Sequence, residues 1–184
     1  MTAIDLKIIQ TSTFVNCKKN LFLLPLCFLL LITACSQSDD QREFEQQAFS
    51  TPEGFTETKS NGEIVEGRAD PDDWRVSPFY RVRGLIDVFP PYPNPVLTNE
   101  RVTFEVSVAG IDAVDGFRVY AFYRGSSLFP LFPEFQRPLP PGLLSISLNP
   151  LDIAEIRENP QGLYRIIVLD AEGNVITYGD IRVD

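Results

Sequence analysis

Apolar and polar positions alternate with a period of two along much of the chain after Trp74. Val102, Phe104, Val106 and Val108 alternate with Thr103, Glu105 and Ser107, which predicts a strand over 101–109 with one buried and one wet face. The stretch 117–124 (FRVYAFYR) alternates too, with large residues on both faces, as a central strand does. A first strand is expected over 79–89, ended by 90–95 (PPYPNP), because proline cannot continue a ladder. Further strands are expected over 143–148 (LLSISL), 162–169 (GLYRIIVL) and 175–183 (VITYGDIRV), the last two joined by a DAEGN hairpin turn. Asn149-Pro150 has the form of a helix N-cap followed by proline at the first helical position, opening at most two turns up to Asn159-Pro160. Residues 125–142, with five prolines and three phenylalanines, read as a loop or edge crossover. About six or seven strands with short turns make an all-β, antiparallel β-sandwich over 74–184. Tyr164 is either a tyrosine corner or an ordinary half-buried strand tyrosine.

The pattern changes upstream. Residues 36–73 carry 11 acidic side chains against Arg42, Lys59 and Arg68, a net charge of -8. So few aliphatic residues cannot offset chain entropy, so 35–73 is expected to be a disordered acidic tether, about 35 Å in root-mean-square span. Within it, 41–49 has the makings of a transient helix and 62–67 (GEIVEG) of a stray strand.

Before the tether comes an apolar run, 21–34, preceded by Lys18 and Lys19. As a helix it would span about 21 Å, short of a hydrocarbon core of about 30 Å, and Pro25 weakens it further. The run ends in Ile32-Thr33-Ala34-Cys35. This resembles the lipobox of bacterial lipoprotein signal peptides, in which 1–34 is removed and Cys35 is acylated. The resemblance implies a diacylglyceryl thioether and an N-acyl chain on Cys35, and hence a membrane anchor. Ser36 follows the cysteine, where an aspartate marks inner-membrane retention in those families. The resemblance therefore implies an address at the outer membrane, with the side it faces undetermined.

A second resemblance covers roughly 90–184. Tyr92-Pro93-Asn94-Pro95, the strand FRVYAFYRG and Gly162-Leu163-Tyr164 before a terminal hairpin resemble the C-terminal sorting domains of type IX secretion, which are immunoglobulin-like sandwiches. Two departures stand beside it: there is no large cargo domain ahead of these residues, and such domains travel with ordinary signal peptides.

Composition narrows the chemistry. The chain has no histidine, which removes the commonest general base and zinc ligand. Loss of 1–34 would leave Cys35 as the lone cysteine and Lys59 as the lone lysine, excluding an internal disulfide. The formal charge is -9, or -11 after that cleavage, which argues against nucleic acid as a partner. The acid pairs Asp72-Asp73, Asp112 with Asp115, and Glu155 with Glu158 are read as solvated charge rather than as a glycosidase dyad. Asp170-Ala-Glu-Gly-Asn174 lacks the spacing of a calcium loop and reads as a turn. No catalytic, cofactor or metal residues emerge, and no small-molecule substrate is evident. Phe129, Phe132 and Phe135 form the candidate contact loop for a protein partner, or else fold back on the core. The function expected from these features is a non-enzymatic outer-envelope lipoprotein presenting an immunoglobulin-like interaction domain. The alternative is a cargo or accessory of a type IX-like pathway.

Overall fold

The computed structural model describes residues 39–83, 86–111, 113–123, 127–132 and 137–184. The expected signal segment 1–34, Cys35, Asp112 and Phe135 lie outside them.

The described chain opens with a helix, α1, over 39–48. The elements that follow are β1 (Arg75–Val76), α2 (Pro78–Arg81), β2 (Ile86–Tyr92), β3 (Val102–Val108), β4 (Arg118–Tyr123), β5 (Ser127–Phe132), β6 (Gly142–Leu148), α3 (Pro150–Ile153), β7 (Gly162–Leu169) and β8 (Val175–Val183). They form two antiparallel sheets, one ordered β1-β8-β7-β4-β5 and one ordered β2-β3-β6. With β2, β3 and β6 as strands A, B and E, and β4, β7 and β8 as C, F and G, this is the immunoglobulin-type arrangement. The Tyr164 hydroxyl donates to the Pro160 carbonyl at 3.0 Å, four residues back, and so forms the tyrosine corner.

The core lies between the sheets. The alternation in β3 places Val102, Phe104, Val106 and Val108 inside, against Val119 and Ala121 of β4, Ile166 and Val168 of β7, and Ile176 and Ile181 of β8. Trp74, at a positive φ of 57°, drives its indole into this layer, with its ring centroid 5.1 Å from that of Phe104. Gly179 makes room for it, since a Cβ there would stand 2.3 Å from the indole.

Three expectations are corrected. The strand expected over 79–89 is split. Ser77-Pro78 starts the short helix α2, and β2 begins only at Ile86. β2 then runs on through Pro90 and Pro91, because it is an edge strand and its register slips between Phe89 and Tyr92. The loop expected over 125–142 contains the edge strand β5, which pairs with β4 despite Pro130. The helix opened by Asn149 falls within the two turns expected: it is one turn, with the Asn149 side chain accepting from the Leu151 amide at 3.0 Å.

The largest correction concerns 39–73, expected to be a free tether. Phe44 and Ala48 of α1 are buried against Ile167, Leu169, Val175 and Tyr178, on the face of the larger sheet that turns away from the core. That second layer is why β7 and β8 are buried on both faces along most of their length. Thr58 bridges to Ile64 and to Asn94, and Thr56 and Thr58 are buried. The compact unit runs from Ser38 to Asp184, so the domain boundary expected at 74 moves back to 38.

Candidate functional site

The densest buried polar chemistry sits where this N-terminal layer meets β7 and β8. Counting back from the hairpin turn sets Arg165 directly opposite Asp180. Cross-strand partners of opposite charge pair well, and here both side chains are almost wholly buried. Arg165 Nε and Nη2 reach Asp180 Oδ1 and Oδ2 at 2.5 and 2.9 Å, a two-pronged contact that matches the planar fork to the carboxylate. The third arm, Nη1, donates to the Gln47 carbonyl at 2.6 Å and to the Ala48 carbonyl at 3.4 Å. Those carbonyls end α1, and the Gln47 carbonyl also accepts from the Ser50 amide at 3.1 Å and hydroxyl at 2.7 Å. The guanidinium also lies 4.8 Å over the Tyr178 ring.

Asp73 completes the cluster. Its Oδ2 accepts from the Thr56 amide at 2.7 Å and its Oδ1 from the Asp180 amide at 3.0 Å. Burial, together with the nearby charges of Asp180 and Asp70, pushes its carboxyl up to about 7. Burial lowers Arg165, but its bonds to Asp180 outweigh this, so the guanidinium is held protonated more firmly than usual. Asn94 binds the same layers together. Its amide donates to the Thr56 carbonyl at 3.0 Å and the Asp180 carbonyl at 2.9 Å, while its oxygen accepts from the Arg182 amide at 2.9 Å. The asparagine of the YPNP segment is thus a wholly buried staple in this fold. A cavity of about 230 Å³ opens beside the cluster, with exposed Ser50 and Thr51 on its rim and Asp70, Asp73, Arg165 and Asp180 in its wall.

Chemically, this set joins elements together. The Asp73 oxygens take backbone amides and the Asp180 oxygens take a guanidinium, so both carboxylates are engaged by the protein itself. Among the described residues, no three acidic, histidine or cysteine side chains converge as metal ligands.

The residues singled out from the sequence fall elsewhere. Phe129 and Phe132 stand on β5 rather than in a loop. Phe129 is half exposed, with its ring 6.1 Å from that of Tyr123. Phe135 and Cys35 are outside the described residues. Asp72 is exposed and meets Arg75 at 3.1 Å, whereas its neighbour Asp73 is half-buried with both oxygens on backbone amides, not the solvated charge expected. Asp115, Glu155 and Glu158 are exposed. Asp170 organises its turn, accepting from the Glu172 and Asn174 amides and, at 2.6 Å, from the Tyr80 hydroxyl. Sequence reasoning missed Arg165 and Asp180, although their pairing follows from the hairpin once its turn is placed at DAEGN.

No family model matches the chain. No curated protein matches it. Among solved structures it is similar to an AA10 lytic polysaccharide monooxygenase from Streptomyces lividans, with a TM-score of 0.30 and 16% identity over 66% of this chain. The chain spans 63% of that protein's length, less than two thirds. That protein is named as an enzyme, and nothing in these comparisons supports the non-enzymatic presenting role expected above. Neither that role nor its type IX alternative is carried further. At this TM-score the likeness carries no argument for an activity in their place.

Proposed function

We propose that this chain is a lipid-anchored β-sandwich protein of the bacterial cell envelope, held at the outer membrane through acyl chains on Cys35. The observation that carries the reading is the I-T-A-C sequence at 32–35, lying just ahead of a compact unit that starts at Ser38. Every residue of both buried clusters lies at or beyond Phe44, so cleavage before Cys35 would take nothing from the described core. Three acyl chains of some fifteen methylenes, at about 0.8 kcal/mol each, make an effectively permanent anchor. Ser36 in place of an aspartate supports delivery to the outer membrane. Among the described residues, no helix is long and apolar enough to cross a membrane.

The docked N-terminal layer changes the picture of how the domain is held. Four peptide steps lead from Cys35 to Asp39, the first described helical residue, and span at most about 14 Å. The sandwich then sits close against the membrane, not on a spacer of about 35 Å. Mass spectrometry of the mature N-terminus in the native cell tests the reading. The expected species begins at Cys35 and carries diacylglyceryl and N-acyl groups. Retention of Met1, or an unmodified Cys35, overturns it.

A further inference from the structure

The buried cluster holds more negative than positive groups. The titratable groups that share the cavity wall with Asp73 are Asp180 and Tyr178 from β8, Arg165 from β7, Asp70 and Asp72 from its own loop, and Glu53, with Asp180 and Asp70 acting on its charge. Arg165 is the one cation among them, and Asp180 already takes two of its arms. Arg75 does not relieve the excess, because its guanidinium goes to Gln47, Tyr178 and Asp72. With Asp73 ionised, a second carboxylate stands in this wall on two backbone amides, and the one cation near it, Arg165, already spends its hydrogen bonds on Asp180 and the end of α1.

The same atoms hold the N-terminal layer in place. Asp73 joins the 54–58 segment to β8, and Arg165 joins the end of α1 to β7. We propose that Asp73, Asp180 and Arg165 form a proton-operated clasp, which holds residues 39–73 on the sheet while the Asp73 carboxyl carries its proton and loosens them when the proton leaves. The cavity with Ser50 and Thr51 on its rim gives that proton a route to solvent.

The sign follows from the burial. The Asp73 carboxyl is raised in the folded protein to about 7, above its ordinary range. Its contribution to docking is therefore full below about pH 4, is lost as pH rises to about 7, and is level beyond. If the loosened segment restores ordinary carboxylate behaviour, its opening equilibrium rises roughly fiftyfold between pH 5 and pH 7. The clasp does not depend on the membrane anchor. With the anchor in place, opening would turn the short link after Cys35 into a tether reaching to Trp74.

Hydrogen exchange on the full chain, corrected for intrinsic rates, tests the clasp between pH 5 and pH 8. Amides of Phe49, Thr56, Thr58 and Val65 should lose protection roughly fiftyfold from pH 5 to pH 7, while those of β3 and β6 do not follow. Parallel loss in β3 and β6, or no loss at all, overturns the proposal. Asp73→Asn should flatten the pH dependence, and a variant that keeps the wild-type slope overturns it equally. Should that variant fail to fold, carboxyl ¹³C NMR of the wild-type chain decides. A midpoint for Asp73 near 7 supports the clasp, and a midpoint near 4 refutes it.

Discussion

Replacing Phe44 by alanine asks directly whether α1 belongs to the fold. Phe44 is 5% exposed, its ring centroid is 4.9 Å from that of Tyr178, and the Arg75 guanidinium lies 5.7 Å from the centroid of the same ring. Burying about 150 Å² of ring at about 25 cal/mol/Å² stabilises by roughly 4 kcal/mol. The helix lies at the surface and can settle partly into the gap, so we expect a loss of about 3 kcal/mol. Urea unfolding followed by tryptophan fluorescence measures it, since Trp74, the chain's single tryptophan, is in the core. The midpoint should fall with the slope unchanged. On a free tether the same substitution would lie within about 0.5 kcal/mol of neutral. A change that small would refute the docked layer and, with it, the clasp.

Three other substitutions probe separate joints. Gly179→Ala puts a methyl within 2.3 Å of the Trp74 indole and should destabilise by at least about 2 kcal/mol in thermal unfolding, with loss of the native near-ultraviolet tryptophan signal. Tyr164→Phe removes the corner hydrogen bond to Pro160 and should cost about 1 kcal/mol with the sheet spectrum unchanged. Tyr80→Phe removes a donor from Asp170. Burial pushes that carboxyl up, but bonds from Tyr80 and Asn174 outweigh it and hold the group below its usual range. A lowered carboxylate stabilises above about pH 4, and the benefit is lost as pH falls through the folded value. The gap between wild type and Tyr80→Phe should thus be about 2 kcal/mol at pH 7 and shrink below pH 4 in urea titrations.

The sandwich was legible because its strands announce themselves locally. The strict alternation of 102–108 can only be a half-buried strand, and β3 lies where that pattern puts it. Tyr164 and Asn149 were readable for the same reason: each acts within four residues of its own position. The N-terminal layer was not readable from composition. Its burial rests on a few residues, Phe44, Ala48, Thr56 and Thr58, scattered among eleven acids whose average reads as unstructured. The i, i+4 spacing of Phe44 and Ala48 was the available signal for a docked helix face. Asp73 carried no signal of its own, because burial among distant residues cannot be seen in a pair of adjacent aspartates. At β5 the prolines misled, since an edge strand needs only one of its sides for the ladder. At α2 the Ser77-Pro78 pair, a helix opening, was overlooked inside an apolar run.

Limited trypsin digestion of the native chain at pH 5 tests the central claim, that the acidic segment is part of the folded unit, most directly. Lys59 and Arg68 offer the protease exposed side chains, yet their backbones are held by Glu63 and Val65 in a layer pinned to β8. The account predicts that both bonds resist cleavage until the sandwich itself unfolds. Rapid cutting after Lys59 and Arg68 that leaves an intact, cooperatively folding fragment beginning near Trp74 would contradict it.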